Sequence, residues 1–293
     1  MENRQFRVIY DQMGQLCNRF WSYIASIQWA IQHQKNVFVV FWDPQIVYYN
    51  NLRHNNYIHF PFYNRLWDFE ILSRYPFRSL IMRIFDSPKF KQFASSPKGK
   101  NLGFMQGWKS ESVDECKELW NNPEIMEQIR YIFKPNSDIT EKVECLFNSR
   151  FDRKSEAIVG VHLRRGDYKT FLGGQFYYSD DVYMRMMLHI QKLFSQKVRF
   201  FCATNEALSS TIIEQFDPLI ITDANAAEDL YGLSICDYII GPPSTFSQWA
   251  SFYGRVPLFV IETPDSLPSI DDFSCVYALD YFMNGHVCCT HYM

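Results

Sequence analysis

The sequence lacks several features that would place it in a fibrous, disordered or membrane class. Glycine and proline are few, 12 and 13 of 293 residues, and no low-complexity tract occurs, which excludes collagen and disorder. No apolar run approaches the roughly 18 residues that a transmembrane helix needs. A basic excess is also missing, because the net charge is −3. General nucleic-acid binding is therefore not expected, although a local basic cluster for a small phosphate ligand remains compatible with the composition.

Cysteine pairs with redox or zinc-finger spacing are absent as well. The eight cysteines are scattered and form no C-x-x-C motif. The opening residues, MENRQFRVIYDQ, contain no apolar core of a signal peptide. We therefore expect free thiols and a cytoplasmic protein. Two histidines and two cysteines near the end of the sequence could bind a metal ion, although we expect none there. They are His286, Cys288, Cys289 and His291.

The sequence does contain a repeated alternation of short apolar runs and helical patterns. Unbroken apolar runs are typical of strands that are buried on both faces of a parallel sheet. They occur at 6–10, 37–41, 157–163, 198–204, 218–222, 238–241 and 257–262. Helical periodicity lies between them, as in residues 18–34, where one face holds Phe20, Ile24, Ile27 and Ile31. This alternation predicts an α/β fold with right-handed crossovers.

The middle of the chain has a different composition. Residues 44–110 have many aromatic side chains and scattered proline, and we predict irregular structure with helices at 67–74 and 77–85. A break at 135–137 separates two α/β halves, so the domain boundary is predicted within 135–155, giving domains 1–150 and 151–293. Two such halves imply a cleft between them, where small-molecule sites commonly lie.

Three loops that follow predicted strands carry groups suited to a diphosphate. HLRRGDY (162–168) ends a buried strand, where parallel sheets bind ligands, and arginine offers a planar fork of donors. GPPSTFSQW (241–249) enters a predicted helix, whose N-terminal amides suit an anion. GQLCNR (14–19) is an incomplete phosphate-approach turn. The first two also have structural interpretations, as a surface Arg–Asp pair and as an ordinary helix cap.

These motifs resemble those of a known enzyme family. HLRRGDY is similar to the HxRRxDY motif of the α-1,2-fucosyltransferases, and the α-1,6- and protein O-fucosyltransferases carry a shorter form of it. Further segments resemble this family in the same order: GQLCNRFWSYIASIQWA, NLGFMQGW, FFCATNE and DLYGLSICDYIIGPPSTFSQWASF. The chain is identified by this resemblance as a divergent member of the superfamily.

The resemblance implies a GT-B architecture, with two Rossmann-like domains and the donor bound mainly by the second. It implies inverting transfer of fucose from GDP-fucose to a sugar hydroxyl, with a galactose-terminated glycan as acceptor and with no metal or other cofactor. Arg164 would stabilise the β-phosphate of the leaving group, and Arg165 would support it more weakly. The other donor-binding residues that it implies are Asn18, His162, Asp167, Asp229 (for guanine), Ser244, Thr245 and Ser247.

Four positions depart from the family pattern. Cys17 stands in place of Gly, Arg19 in place of Gln and Gln248 in place of Trp, and Asn205 stands where Asp is common. A Cβ at position 17 is expected to hinder a positive φ in that turn. These departures predict a different acceptor or weakened activity.

No motif identifies the catalytic base. Inversion needs a group that accepts the proton of the acceptor hydroxyl, and we expect it in the first domain. Asp43, which follows the 37–41 run, is the leading candidate, ahead of Asp11 and Glu70. Each of these carboxylates also has a structural interpretation.

Three alternatives stay open from the sequence. The chain could fucosylate another linkage or a protein, bind GDP-sugars or glycans with weak or no catalysis, or be a two-domain α/β nucleotide binder of another kind. The expected location is the cytoplasm, with peripheral contact at the inner face of a bacterial membrane as an option. The acceptor is not set by any motif.

Overall fold

A computed structural model describes residues 5–11, 14–61, 76–107, 113–280 and 289–293, with side chains described except at 76–79, 81, 113–116, 280 and 289–291. The chain divides into two compact units, Met1–Asn136 and Ser137–Met293. The predicted helix at 67–74 and the candidate residues Glu70, His286 and Cys288 lie outside the described residues.

The first unit contains a parallel sheet of four strands. They are β1 (Phe6–Ile9), β2 (Asn36–Val39), β3 (Ile58–His59) and β4 (Phe104–Met105), in the order β3-β2-β1-β4. Helix α1 (Leu16–His33) connects β1 to β2, and its predicted apolar face is buried. Because β2 and β4 flank β1 on opposite sides, the strand order reverses beside β1.

Short helices make up much of the rest of this unit. They are α2 (Asn50–Arg53), α3 (Pro76–Asp86), α4 (Pro88–Ser95), α5 (Pro97–Asn101), α6 (Val113–Trp120) and α7 (Pro123–Ile132), with a 3-10 turn at Pro44–Tyr48. Four of these helices begin at proline, because the first helical position needs no N–H donor. The side chains of Ser87, Ser96 and Asn122 cap α4, α5 and α7. The scattered proline therefore marks helix starts, and the predicted helix at 77–85 is confirmed within α3.

The second unit contains another parallel sheet. Its strands are β5 (Glu156–Leu163), β6 (Lys197–Thr204), β7 (Tyr238–Gly241) and β8 (Leu258–Val260), in the order β6-β5-β7-β8. A hairpin of β9 (Val276–Asp280) and β10 (Cys289–Tyr292) follows. The strand prediction for 218–222 is wrong, because Leu219 alone pairs with β6 in an isolated bridge, through one hydrogen bond from its N–H to the Phe200 carbonyl and one from the Cys202 N–H to its own carbonyl.

Five helices accompany this second sheet within the described residues. They are α8 (Ser137–Arg150), α9 (Asp180–Leu193), α10 (Ser210–Phe216), α11 (Ala226–Ser234) and α12 (Thr245–Gly254). Helix α9 buries Met186 and Ile190 in a core with Val159 and Val161 of β5. This packing explains the continuous apolar run of β5, since the strand is buried along almost its whole length.

Helix α8 belongs to the second unit, although the sequence placed residues up to 150 in the first domain. Its polar contacts explain the membership. Lys142 Nζ donates a hydrogen bond to Glu228 Oε1 at 2.6 Å, and Tyr231 Oη donates one to Glu144 Oε1 at 2.5 Å. Both contacts join α8 to α11, so the boundary falls before α8.

Two findings concern membranes and thiols. Within the described ranges, no helix combines the length and the apolar character that crossing a bilayer requires. Among the described side chains, Cys17, Cys145, Cys202, Cys236 and Cys275 carry free thiols, as the sequence predicts for these five.

Candidate functional site

The second sheet brings two of the sequence motifs together at the carboxyl ends of neighbouring strands. β5 and β7 are parallel neighbours, so the loops at their carboxyl ends, 164–168 and 242–244, lie side by side. The strand order also reverses at this place, because β6 flanks the other side of β5. Open α/β sheets bind ligands in the crevice at such a reversal.

Direct contacts hold the two loops together. Tyr168 Oη donates a hydrogen bond to the backbone oxygen of Pro243 at 2.7 Å. The rings of His162 and Phe246 pack with their centroids 5.1 Å apart. Gly241 has no room for a side chain, because a Cβ there would lie 2.9 Å from the Cβ of His162. The structure therefore joins HLRRGDY to GPPSTFS.

Arg164 lies on the exposed side of this junction. Its Nη2 donates a hydrogen bond to Asp167 Oδ2 at 2.9 Å, and its guanidinium lies over the Tyr168 ring at 5.4 Å. The Arg164 side chain is 18% exposed, and that of Asp167 is 53% exposed. An arginine held by a carboxylate and an aromatic ring at the loop surface presents an oriented donor group to a ligand.

Arg165 points into the protein instead. Its side chain is 11% exposed, donates through Nη2 to Asp180 at the start of α9, and lies over the Tyr183 ring. Its backbone N–H donates to Asn205 Oδ1 at 2.9 Å. Burial raises the pKa of Asp180, but hydrogen bonds from Arg165 and Ser209 outweigh it and lower the pKa overall. Arg165 therefore fixes the 164–168 loop to the start of α9.

His162 is a buried, neutral imidazole. Its side chain is nearly inaccessible, and burial together with the charge of Arg164 lowers its pKa to about 3. Among the residues that the structure describes, none forms a hydrogen bond with its Nδ1 atom. A buried ring nitrogen without a protein partner at the end of β5 suits a ligand that supplies one.

The start of α12 provides backbone donors, while its serine side chains are largely occupied by the helix. Ser244 Oγ accepts from the Phe246 N–H at 3.3 Å as the N-cap. Ser247 is fully buried, and its Oγ donates to the Ser244 carbonyl at 3.2 Å. Thr245 is half-buried at the first helical position. The amides of this first turn, more than the hydroxyl of Ser247, are the groups that can bind an anion.

Asp229 lies in the first turn of α11. No described residue donates to its carboxyl oxygens, whereas the neighbouring Glu228 accepts from Lys142 and from the Asn225 N–H. Burial, and then the charge of Glu228, raise the pKa of Asp229 to about 7. This carboxylate is therefore available to a ligand that brings its own N–H donors.

The glycine turn of the first unit contains Asn18 and Arg19. Gly14 has a φ of +22°, and a Cβ there would lie 1.9 Å from Asn18 Nδ2, so the Asn18 amide lies directly against this turn. Arg19 Nε donates to the Gly14 carbonyl at 3.1 Å. The expected strain at Cys17 is wrong, because Cys17 lies inside α1 and the positive φ belongs to Gly14.

Two candidate bases of the first unit differ in their contacts. Asp43 Oδ1 accepts from the Gln45 N–H at 2.9 Å and caps the 3-10 turn, and Asp43 Oδ2 lies 3.9 Å from Arg19 Nε. Asp11, directly after β1, accepts from the Gly107 N–H with both oxygens at 3.1 Å. Burial raises the pKa of Asp11 despite that hydrogen bond. Asp11 is therefore a buried carboxyl whose pKa is raised, and Asp43 has the contacts of a structural cap.

Sequence reasoning missed Asp180 and the role of Asn205. Asp180 opens α9 as an acidic first-turn residue, which is an ordinary helix-start signal, and its pairing with Arg165 depends on the fold. Asn205 holds the Arg165 N–H through its side-chain oxygen, a role that an aspartate could equally fill. Its departure from the family pattern is therefore compatible with an intact loop.

Comparison with known proteins concerns mainly the second unit. Residues 118–263 match the family model for glycosyl transferase family 11. The match covers just under half of the chain. The family-11 segment contains both loops at the ends of β5 and β7, together with Asp180, Asn205 and Asp229, and it ends beyond β8. No curated protein sequence matches the chain.

Solved structures extend the fold resemblance from the family-11 segment over both units. The chain is similar to fucosyltransferase NodZ from Bradyrhizobium, with a TM-score of 0.51 and 16% identity over 91% of this chain and 98% of that one. POFUT1 in complex with GDP gives a TM-score of 0.50 and 11% identity over 92% and 97% of the two chains. A mutant of Arabidopsis thaliana FUT1 in complex with GDP gives 0.55 and 11% over 94% and 74%. The predicted GT-B type α/β fold is confirmed by these similarities and the parallel sheets.

Proposed function

We propose that the protein transfers fucose from GDP-fucose to a sugar hydroxyl. The observation that carries the proposal is Arg164, oriented by Asp167 and Tyr168 beside the N-terminus of α12 at the strand-order reversal. Family 11 covers all of these residues, and the similar structures are named as fucosyltransferases or hold GDP. Arginine and helix amides are the donors that a diphosphate leaving group requires.

The donor would be recognised at three points. Arg164 binds the β-phosphate, and the first-turn amides of α12 bind the remaining phosphate oxygens. The Asp229 carboxylate accepts the N1–H and N2–H donors of guanine, a pair that one carboxylate can satisfy. His162 contributes a neutral ring nitrogen, while Arg165 and Ser247 position the loops rather than touch the nucleotide. These charges and dipoles would replace a metal ion, so the proposed reaction needs no cofactor.

The proposed step is a displacement with inversion. The bond between the fucose anomeric carbon and the β-phosphate oxygen breaks, and its electron pair leaves with GDP. The acceptor hydroxyl oxygen forms the new bond to that carbon, and its proton passes to a base. Arg164 stabilises the negative charge that grows on the β-phosphate, which lowers the barrier more than it strengthens ground-state binding.

We propose Asp11 as the base in preference to Asp43. A base benefits from a raised pKa, which burial gives to Asp11. Asp43 accepts a hydrogen bond from the Gln45 N–H as the cap of the 3-10 turn and lies 3.9 Å from Arg19 Nε, so its carboxylate is occupied by structural contacts. Asn18, at the Gly14 turn of the same unit, is proposed as a further contact to the donor.

The finer assignment is α-1,2 transfer to a galactoside. It rests on the HLRRGDY motif, whose two arginines and tyrosine match the α-1,2 pattern more fully than the shorter motif of the other branches. The proposed setting is the cytoplasm, at the inner face of a membrane. Transfer to another linkage or to a protein is the alternative within the same chemistry.

The test is a donor screen followed by product analysis. Calorimetry with GDP-fucose, GDP-mannose and UDP-galactose, each in EDTA, is expected to give binding of the two GDP-sugars and none of the uridine donor. Incubation with lactose and GDP-fucose is expected to release GDP and yield a fucosylated product, whose linkage is read by NMR. Absence of GDP binding would refute the assignment.

A second candidate function is GDP-sugar binding without turnover. It rests on Arg19, which replaces the family glutamine and binds the Gly14 carbonyl beside Asn18. In that case GDP binds tightly, but GDP-fucose is neither transferred nor hydrolysed. Arg19→Gln would then be expected to restore activity.

A further inference from the structure

The first unit contains a polar pocket that none of the proposed donor or base residues lines. It measures about 520 Å³, which lies within the usual range for small-molecule sites. One wall is the loop between α2 and β3, and the other is helix α7. The lining residues are His54, Asn55, Asn56, Tyr57, Glu124, Glu127, Gln128, Tyr131 and Ile132.

The pocket and the candidate base Asp11 lie at opposite ends of the strands of the first sheet. Residues 54–57 immediately precede β3, so they are at the amino ends of the parallel strands. Asp11 and Gly107 follow β1 and β4, so they are at the carboxyl ends. Because the strands are parallel, all their amino ends lie on one side of the sheet and all their carboxyl ends lie on the other. The pocket is therefore separate from the residues proposed for the reaction in this unit.

The walls of the pocket are held in place by hydrogen bonds. Asn55 Oδ1 accepts from the N–H groups of Tyr57 and Ile58 at 2.7 and 2.8 Å, which fixes the turn into β3. Asn51 Nδ2 donates to the Tyr131 carbonyl at 2.9 Å, which ties α2 to α7. The pocket is thus formed before any ligand arrives, which reduces the entropy cost of binding.

Helix α7 presents a stripe of ligand-binding groups to the pocket. Glu124, Glu127 or Gln128, and Tyr131 recur at helical spacing on one face. None of the described residues forms a hydrogen bond with the side-chain polar atoms of Glu124, Glu127 or Gln128, although both carboxylates accept hydrogen bonds readily. Tyr131 is 64% exposed, so its ring is accessible to a ligand.

The chemistry of the lining selects a class of ligand. It contains two carboxylates and no lysine or arginine, so it repels phosphates and nucleotides. Carboxylate and amide groups satisfy a ligand that carries many hydroxyls, and His54 and Asn56 add donors. The faces of Tyr57 and Tyr131 offer apolar surface to the C–H face of a pyranose ring. We infer that this pocket binds a neutral oligosaccharide, at a site separate from the candidate bases of the first unit.

The inference stands on the pocket alone and does not require the proposed transfer reaction. For a protein that acts on glycans, such a site would hold a second portion of a long acceptor or a second glycan chain. It would raise the residence time of polymeric glycans without contributing to bond formation.

The test uses the full chain and a panel of neutral oligosaccharides: lactose, N-acetyllactosamine, cellobiose and mannobiose. Binding is measured by saturation-transfer NMR and titration on the wild type and on Tyr131→Ala, Glu127→Gln and Glu118→Gln. Glu118 is an exposed glutamate of α6 outside the pocket and serves as the matched control. We expect at least one sugar to bind, with affinity about three- to tenfold weaker in each pocket variant, as for the loss of one hydrogen bond or ring contact, and unchanged in the control.

Several results would overturn the inference. No binding by any sugar of the panel would do so, as would equal affinity in the wild type and both pocket variants. Binding of spermine or a lysine tripeptide in place of the sugars would show that the carboxylates select cations. GDP titrated into the same samples separates this inference from the proposed function, because failure of GDP to bind the wild type would remove the transferase assignment and leave the pocket result intact.

Discussion

Changing each of the two adjacent arginines of HLRRGDY to lysine is expected to have a different effect on the protein. Arg164 lies at the loop surface on Asp167 and Tyr168, whereas Arg165 is buried with Asp180 and Tyr183. Lysine keeps the charge but loses the planar fork. Arg164→Lys should therefore reduce turnover, and Arg165→Lys should mainly reduce the free energy of unfolding.

The magnitudes follow from the two environments. One preorganised donor to a developing oxyanion is typically worth about 10²-fold in turnover, so Arg164→Lys should lose at least about that factor. For Arg165→Lys, weakening the charged hydrogen bond between the buried guanidinium and the partly exposed Asp180 costs roughly 1.5–3 kcal/mol. In a unit of this size each kcal/mol lowers Tm by roughly 2–4 °C, so a fall of roughly 3–12 °C is expected.

The assay pairs calorimetric melting with release of GDP from GDP-fucose, both at the same pH. Asp180→Asn serves as the matched variant for Arg165, because it removes the same ion pair from the other side. Melting of Arg164→Lys should stay close to that of the wild type. The reasoning is refuted if Arg165→Lys melts normally while losing more turnover than Arg164→Lys, since Arg165 would then be the residue that contacts the phosphate.

Further predictions concern the donor, the guanine carboxylate and the base. GDP is expected to bind with the same affinity in EDTA and in Mg²⁺, as measured by calorimetry, and a strict metal requirement would contradict the site. Asp229→Asn should weaken GDP binding by roughly 1–3 kcal/mol. Burial and the charge of Glu228 disfavour the ionised carboxyl and raise the folded pKa of Asp229 to about 7, so the ligand-free fold carries no penalty from this group below about pH 4 and loses stability as the pH rises towards 7. The ligand-free Asp229→Asn protein should therefore melt higher than the wild type at pH 8 although it binds GDP less well, and a lower Tm would argue against the raised pKa. Asp11→Asn should reduce turnover by about 10²-fold or more with donor affinity kept, whereas Asp43→Asn should cost roughly 0.5–2 kcal/mol of stability with turnover kept; the reverse pattern in kcat and Tm would restore Asp43 as the base.

The strands of both sheets could be predicted because a strand that is buried on both faces consists of consecutive apolar residues. The runs at 157–163 and 238–241 lie within β5 and β7 as the structure has them. The run at 218–222 has the same composition and yet forms a single bridge at Leu219. Apolar composition indicates burial, whereas a strand also needs consecutive backbone pairing, which this segment makes at Leu219 alone.

The proline-rich middle of the chain could be predicted only in part. Proline without periodicity was interpreted as irregular structure, although Ser87 before Pro88 and Ser96 before Pro97 are helix-start signals. Each helix is so short that its apolar pattern spans few turns, and periodicity could not identify it. The capping residues carried the information that the hydrophobic pattern did not.

The sequence predicts which loops form the candidate site, but it does not predict the role of each residue in them. Motif and strand position located Arg164 and Arg165, while the partner that separates their roles, Asp180, lies 15 residues further along the chain. Asp43 was ranked first because it follows a strand. The local sequence Asp-Pro-Gln makes it a cap of the next turn, and that hydrogen bond became visible only in the structure.

The hydrogen bond from Tyr168 to Pro243 has a consequence for how such proteins diversify. Both of its partners, and every contact described above for the two loops, come from one stretch of the gene, within Ser137–Met293. Recombination or drift in the codons of Met1–Asn136 leaves these contacts encoded as before. A lineage could thus keep the proposed GDP site while the first unit changes, and a chimera that grafts a foreign first unit onto Ser137–Met293 should keep the GDP affinity that the second unit supplies, without the contact proposed for Asn18.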